Sequence, residues 1–463
     1  MSNRGRRRNR MANDSLTELI QLKNTANLTT TEGRLQFLQR LYPIIENWHG
    51  RSPDLRRLFQ AEEIEELLVL DFDENEYFRR RVPFVNFVTG FGYTYRARLD
   101  ASGRPILQRT TPIHLVARRA SFCFTSALYK IYQPRFNDSN YRDESGFTHF
   151  HAACKFGFHW VVWEFLVFGR IDPDLVVDAT GDRPLHLAIQ HEHKGVVRQL
   201  LHAGADPNPA NEAGETPLHL ACGKNDDGAW ARMLLLESQQ SRGPLLRIDA
   251  RAVRLAVTSL QSRLLVELLR RGFAGWNGFV FPEAQEFADV FAESRGEDRF
   301  AVRLAAGALG IYRIYENHGH NRGAALTILK AFDDHGLLER SARAVTSRRL
   351  ELKEASSRIE RDRKLEFHDL IRLRPSDAVR KLVSSSQYYK LAYSRKLWML
   401  PERLWEPCSL YLCEIMMRSI CLRWALDSFI RKIQYELPFV CCQKIIDNMT
   451  ARDMYHICLA ADL

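Results

Sequence analysis

A seven-residue pattern recurs through the middle of this chain, as TPIHLVA from Thr111, THFHAAC from Thr148, RPLHLAI from Arg183 and TPLHLAC from Thr216. Its histidines, His114, His151, His186 and His219, are separated by 37, 35 and 33 residues. A period in that range restricts the fold to a stacked array of small supersecondary units, none of which buries its apolar face alone. Other landmarks keep the same register. A glycine-containing turn precedes three of the motifs, at Asp143–Gly146, Asp178–Gly181 and Asn211–Gly214. Fourteen and fifteen residues after each histidine comes a pair suited to the packing face of a second helix: Leu128 and Tyr129, Phe165 and Leu166, Leu200 and Leu201, Met233 and Leu234. Gly169 and Gly204, eighteen residues on, suit a left-handed helix C-cap. The same ruler picks out a degenerate fifth unit in Arg254, Leu268, Leu269 and Gly272.

The motif and its period resemble the ankyrin repeat, T-P-L-H-x-A at about 33 residues. Threonine caps the first helix and proline enters its first turn without losing a needed donor. The anchor imidazole bonds a threonine hydroxyl or nearby backbone, so His114, His151, His186 and His219 are read as structural and not as metal ligands. This chain departs from the pattern at His149 (for proline), Arg183 (for threonine), Val116 (for alanine) and in the second helix of the fourth unit. The resemblance implies an all-α solenoid that binds a protein on a concave face made of turn tips and first helices. On that face the register puts Glu144, Ser145, Phe147, Lys155 and Phe156, then Ala179, Thr180, Asp182, Gln190 and His191, then Glu212, Ala213, Glu215 and Lys224. Phe147 and Phe156 are open to two readings, binding anchor or packing on the preceding unit, whereas Phe158 is expected to be buried.

Composition narrows what surrounds the array. With 463 residues, 45% hydrophobic and 26% charged, the chain is long enough for two to four domains and ordinary enough to fold. The longest charge-free stretch, Val82 to Tyr95, has 14 residues and is interrupted by proline and glycine, too short for a membrane span of about 20. Five arginines in the first ten residues account for half of the +10 net charge. That tail reads either as a solvated end or as a nuclear-import signal, and the mild excess elsewhere points to no specific nucleic acid. With no secretory signal and nine cysteines, an odd number, the expected location is cytoplasmic, with the nucleus as the alternative.

Residues 1–10 are the basic tail and 11–99 a helical N-terminal cap for the solenoid, with a β-prone stretch from Val82 to Leu99. Repeats fill 100–275. Residues 276–364 read as helices and a charged linker, solvated from 339 onward, and 365–463 as a second helical domain. Its end, ELPFVCCQKIIDNMTARDMYHICLA from Glu436, resembles the opening of an F-box in Leu437, Pro438, Ile445, Ile446, Met449, Asp453 and Met454, with Cys441, Ile445 and Met449 on one apolar face. Phe439 and Val440 stand where an acid is usual. Ankyrin repeats followed by such a tail resemble the PRANC family, pox protein repeats of ankyrin with a C-terminal domain. That resemblance implies a subunit whose repeats hold a target while the tail docks on the F-box-binding adaptor of a cullin ubiquitin ligase. The alternative is an ankyrin scaffold or sequestering protein, nuclear through its tail, in which 437–463 only close a helical domain.

No catalytic or cofactor motif is legible. Gly90 and Gly92 lack the third glycine of a dinucleotide loop, and Gly223-Lys224 is followed by asparagine with no P-loop glycine upstream. His191 with His193, and His318 with His320, lack supporting carboxylate or thiolate ligands at helical spacing. The expectation is a non-catalytic interaction protein with no cofactor and no metal.

Overall fold

A computed structural model of the chain describes residues 15–48, 53–74, 83–91, 93, 100–102, 106–118, 140–224, 226, 228–273, 275–293, 299–317, 322–347, 375–384, 388–393 and 400–461, with residues 351, 352, 355, 370, 373 and 397 besides. The arginine tail, the Leu128–Tyr129 pair and His318 with His320 lie outside the described residues. Within them the expected all-α fold holds: every extended element is a helix, and only isolated bridges join Arg142 to Gln108 and to Thr148. The chain divides into two compact units, Met1–Leu220 with Leu234–Leu246, and Ala221–Met233 with Arg247–Leu463.

The first unit opens with a helix over 15–25, then α1 (Thr31–Glu46), α2 (Ala61–Glu74) and α3 (Pro83–Gly90). Thr30 caps α1 by accepting the Gly33 N–H at 3.2 Å, and Phe37, Leu38, Leu41 and Ile45 at helical spacing form its buried face. α3 falls inside the stretch read as β-prone. Strand propensity is a weak prior there, because Phe84, Val85, Phe87 and Val88 bury as a helical face behind Pro83. The orphan first-turn donor is satisfied by buried Asp71, which accepts the Val85 N–H and the Tyr42 hydroxyl, both at 2.9 Å. Burial pushes the Asp71 carboxyl up to about 6 despite those bonds.

Helix pairs follow at the repeat period. α4 (Pro112–Arg118) precedes α5 (His149–Phe156) and α6 (His159–Val167), then α7 (Pro184–Gln190) and α8 (Lys194–His202). First helices pack on first helices and second on second. The anchor histidines explain the regularity. In each, Nδ1 accepts the backbone N–H of the residue before the helix: Thr111 at 3.0 Å, Thr148 at 3.0 Å, Arg183 at 3.2 Å and Thr216 at 3.1 Å. The proton is therefore on Nε2, which donates to Tyr141 O from His114 (3.2 Å), Leu175 O from His151 (2.8 Å) and Glu215 O from His186 (3.0 Å). Each of these three imidazoles thus ties its own helix start to the backbone leading into the next unit.

The departures from the motif have local reasons. His149, in the place of proline, turns its Nε2 to the Thr111 hydroxyl of the preceding unit at 2.8 Å. Arg183 supplies no capping hydroxyl, but its backbone N–H still meets His186, and its guanidinium donates to Asp174 O at 3.3 Å. The left-handed residue closing α6 is Arg170 (φ 47°) and not Gly169, whereas Gly204 takes the expected conformation (φ 101°). Gly157, between α5 and α6, is left-handed at φ 76°, and a Cβ there would lie 2.3 Å from the His193 ring. That ring is itself held by the Lys155 carbonyl at 2.9 Å. Gly157→Ala is expected to lower stability by about 1–3 kcal/mol, read as a shifted urea midpoint.

The fourth helix pair, α9 (Pro217–Cys222) and α10 (Ala229–Gln240), is shared between the two units. In the second unit α11 (Ala250–Thr258) and α12 (Ser262–Arg270) repeat the pairing. Gln261, seven residues past Arg254 as His193 is past His186, reaches back to Cys222 O at 3.0 Å and Lys224 O at 2.8 Å. The rest of this unit gathers on one long helix. α13 (Arg299–Asn317), α14 (Arg322–Asp334), α15 (Leu337–Ser347) and α16 (Pro375–Ser384) pack against α17 (Glu402–Lys432), as do α18 (Phe439–Asp447) and α19 (Ala451–Ala460). The expected boundary at 364/365 therefore does not separate these helices. Ser341 and Ala344 are buried in α15, within a stretch that charge density alone marks as solvated.

Candidate protein-binding surfaces

The turns before the second and fourth motifs are each built from one side chain and one glycine. Asp143 Oδ1 accepts the Ser145 N–H (2.9 Å), the Ser145 hydroxyl (2.6 Å) and the Phe147 N–H (3.0 Å), while its second oxygen takes Arg118 at 2.8 Å. Burial works to raise the Asp143 carboxyl, but these hydrogen bonds outweigh it and hold it below the usual range. Asn211 repeats the arrangement for the N–H groups of Ala213 (3.1 Å) and Glu215 (3.0 Å). Successive tips are joined by backbone: Ala179 N–H donates to Ser145 O at 3.1 Å and Glu212 N–H to Thr180 O at 3.0 Å. Gly146 (φ 80°) and Gly181 (φ 68°) are needed twice over, since a Cβ would also lie 2.7 Å from the next tip's Asp178 N and Glu212 N.

This row displays Glu144, Ala179, Thr180, Glu212 and Ala213 to solvent, with Ser145, Phe147, Gln190, His191 and Glu215 half-buried. Two residues assigned to the binding face are structural instead. Phe156 is buried against the ring of Phe158, which is only half-buried, because the C-terminal turn of α5 points inward before Gly157. Asp182 is buried and accepts the Asn211 amide at 2.9 Å, fixing one turn to the next. Lys155 is half-buried and donates to Ala117 O at 2.6 Å, while Phe147 lies between the His114 and His151 rings at 6.3 and 5.5 Å. Lys224 belongs to the second unit, half-buried.

The repeated cap, anchor imidazole and linked tips agree with a match to the family Ankyrin repeats (3 copies) over residues 113–211 and 150–241. Residues 113–241 are ankyrin repeats. The chain is similar to human neurogenic locus notch homolog protein 4, 38% identical over 113 residues, which are 22% of this chain and 5% of that protein. Human BCL-6 corepressor-like protein 1 is 30% identical over 118 residues, 26% of this chain and 6% of its own length. An ankyrin repeat-containing protein of Saccharomyces cerevisiae is 30% identical over 94 residues, 19% of this chain and 51% of that protein. The chain thus matches only a small part of the two human relatives. An ankyrin array is a protein-interaction module.

The tail residues divide by face. Pro438 caps α18, and Leu437, Pro438 and Ile445 are exposed together with Phe439 and Val440. Met449 is half-buried, and Asp453 is exposed and closes a capping box with Thr450. Ile446 and Met454 are buried, so neither is available to a partner: Ile446 shares the inner face of α18 with Cys442, and Met454 Sδ lies 3.7 Å from Cys421 Sγ of α17. The apolar face containing Cys441 and Ile445 is the one left to solvent.

The anchor histidines are occupied by backbone bonds, and burial pushes His151 down to about 4 and lowers His114 and His186. Among the described residues no three His, Cys, Asp or Glu side chains converge as metal ligands. No helix there is long and apolar enough to cross a membrane. The sequence reading missed an exposed aromatic cluster on α6, Trp160, Trp163 and Phe168. Its signal was available: the third repeat has Gly195, Arg198 and Ala203 at the same distances from its anchor histidine.

Proposed function

We propose that the protein recruits a target held on its ankyrin turn tips to a cullin ubiquitin ligase, whose F-box-binding adaptor docks on the start of α18, with no catalysis of its own. The observation that carries this reading is the exposed apolar cluster of Leu437, Phe439, Val440 and Ile445 around Pro438, on a hairpin whose other face is buried. Apolar side chains grouped at a helix start, with Cys442 and Ile446 already serving the core, are free to serve a partner. The target is expected to contact Glu144, Ala179, Thr180, Glu212 and Ala213, the exposed members of the tip row.

The test is direct association of the purified full chain with the adaptor, beside a Leu437→Asp/Ile445→Asp variant. Both side chains are exposed, so circular dichroism should be unchanged while adaptor affinity falls at least tenfold. Failure of the intact chain to bind, or equal binding by the variant, would leave an ankyrin scaffold with no ligase link.

A further inference from the structure

The turn that leads from α17 into α18 holds its backbone in an uncommon conformation. Gln434 (φ 51°) and Tyr435 (φ 64°) are successive non-glycine residues in the left-handed region, whereas Arg170, Glu192 and Leu260 enter it singly. A side chain disfavours that region because Cβ crowds the following carbonyl, so an adjacent pair is held against a local cost. Two hydrogen bonds hold it. α17 is capped by Ile433, the Gln434 N–H donates to Arg431 O at 3.1 Å, and the Tyr435 N–H donates to Ile430 O at 3.2 Å. These are the paired bonds of a Schellman cap, with Gln434 standing where glycine is usual.

One part of that cap is given up. The residue in the place of Tyr435 ordinarily folds its side chain back on the last turn of the helix, here Phe429 and Ile430. Tyr435 is instead 73% exposed, more than Leu437, Phe439, Val440 or Ile445. The turn is thus strained without burying its ring, and its effect is to display a tyrosine two residues before Leu437. Exposed aromatic rings of this kind are typical binding anchors. The charges beside it are uneven: residues 431–445 carry Arg431, Lys432 and Lys444 against Glu436 alone, all four exposed. Lys444 lies four residues past exposed Val440, one turn along the same side of α18.

We infer that Tyr435 is a contact residue of the surface at the start of α18, and that the adaptor seated there offers an apolar pocket edged by carboxylates. The assignment rests on the ligase reading of that surface, to which it adds a tyrosine anchor outside the F-box-like residues and the sign of the partner's charge. A second copy in a two-fold interface would bring the same cations together. Apolar side chains rimmed by cations also suit an anionic bilayer. The strained turn favours the protein: a fluid bilayer accepts exposed rings in any arrangement, whereas a pocket gains from Tyr435 being fixed in advance relative to Leu437 and Phe439.

Surface plasmon resonance of the full chain on the F-box-binding adaptor tests this, with Leu437→Asp/Ile445→Asp as the reference variant. Gln434→Gly should raise the urea midpoint by removing strain and leave affinity unchanged. Tyr435→Gly should leave the midpoint equal or higher and yet weaken binding at least tenfold, a loss of affinity without loss of stability that a purely structural turn residue would not give. Lys444→Glu and added salt should both slow association, as expected of cations that meet carboxylates. Equal binding by Tyr435→Gly, where the reference variant has lost it, would overturn the tyrosine assignment and leave the ligase reading standing. Absence of adaptor binding by the intact chain would overturn both. Salt-independent association, or Tyr435-dependent binding to anionic vesicles in place of the adaptor, would overturn the acidic protein partner.

Discussion

Replacing His151 with alanine should destabilise the first unit by about 2–4 kcal/mol, and should also remove much of its sensitivity to mild acid. The imidazole joins the Thr148 N–H and hydroxyl, both at 3.0 Å, to Leu175 O at 2.8 Å, and the ring is fully buried. Alanine leaves a buried donor and a carbonyl without partners as well as a cavity. The acid effect follows from linkage. Burial, the largest influence, brings His151 down to about 4 in the folded chain, against an ordinary value of 6.5. Between those values the unfolded chain binds the proton and the folded chain does not, so stability rises with pH. The contribution is fully present above about 6.5 and is lost as pH falls toward about 4, worth about 3 kcal/mol for this residue. Depressed His114 and His186 act in the same direction. Urea midpoints at pH 7 and pH 5 check this: the wild-type loss on acidification should exceed that of His151→Ala, and equal losses would remove the anchor from the explanation.

That same hydrogen bond is why the repeats were legible in the sequence. An imidazole that must reach both its own helix start and the next unit's backbone can stand only at a fixed distance from each, so it recurs in register. Other features are set by contacts that no local pattern encodes. The Pro83–Gly90 segment is Val- and Phe-rich, and only the distant Asp71 carboxylate and a buried face make it helical. Phe156 and Asp182 look like surface positions by register, but the inward end of α5 and the Asn211 amide claim them. In α18 apolar residues lie on both faces, since Cys441 and Ile445 alternate with Cys442 and Ile446. Packing on α17 goes with burial of the latter pair, which the alternation itself does not encode. The aromatic stripe of α6 becomes visible only when one repeat is set beside another, because within a single helix Trp160 and Trp163 read as ordinary core.

The second large effect is expected at Glu414, where removing one carboxylate should loosen the whole α18–α19 hairpin. Glu414 is fully buried in α17, and burial raises its carboxyl above the ordinary range. One oxygen accepts the Ala451 N–H at 2.6 Å, at the start of α19, and the other accepts the Ser341 hydroxyl at 2.9 Å. One turn on, buried Arg418 donates to Asp447 O at 2.8 Å, at the end of α18. An anion at one helix's N-terminus and a cation at the other's C-terminus complement both dipoles. The pair thus clamps the turn between the two helices. Glu414→Ala would leave Arg418 as a buried charge without its counter-ion and Ala451 without an acceptor, a loss of about 3–5 kcal/mol. Glu414→Gln keeps an acceptor for Ala451 and should cost less. Hydrogen exchange reads the difference locally: amides of 439–460 should open earlier in Glu414→Ala than in Glu414→Gln, while those of the repeats in the first unit keep their protection. Uniform acceleration across the chain would make Glu414 a general core residue and not the clamp of this hairpin. Because α18 carries Leu437, Phe439 and Val440 at its exposed start, the alanine variant should also weaken any partner that needs those side chains held in one arrangement, without altering a residue that the partner touches.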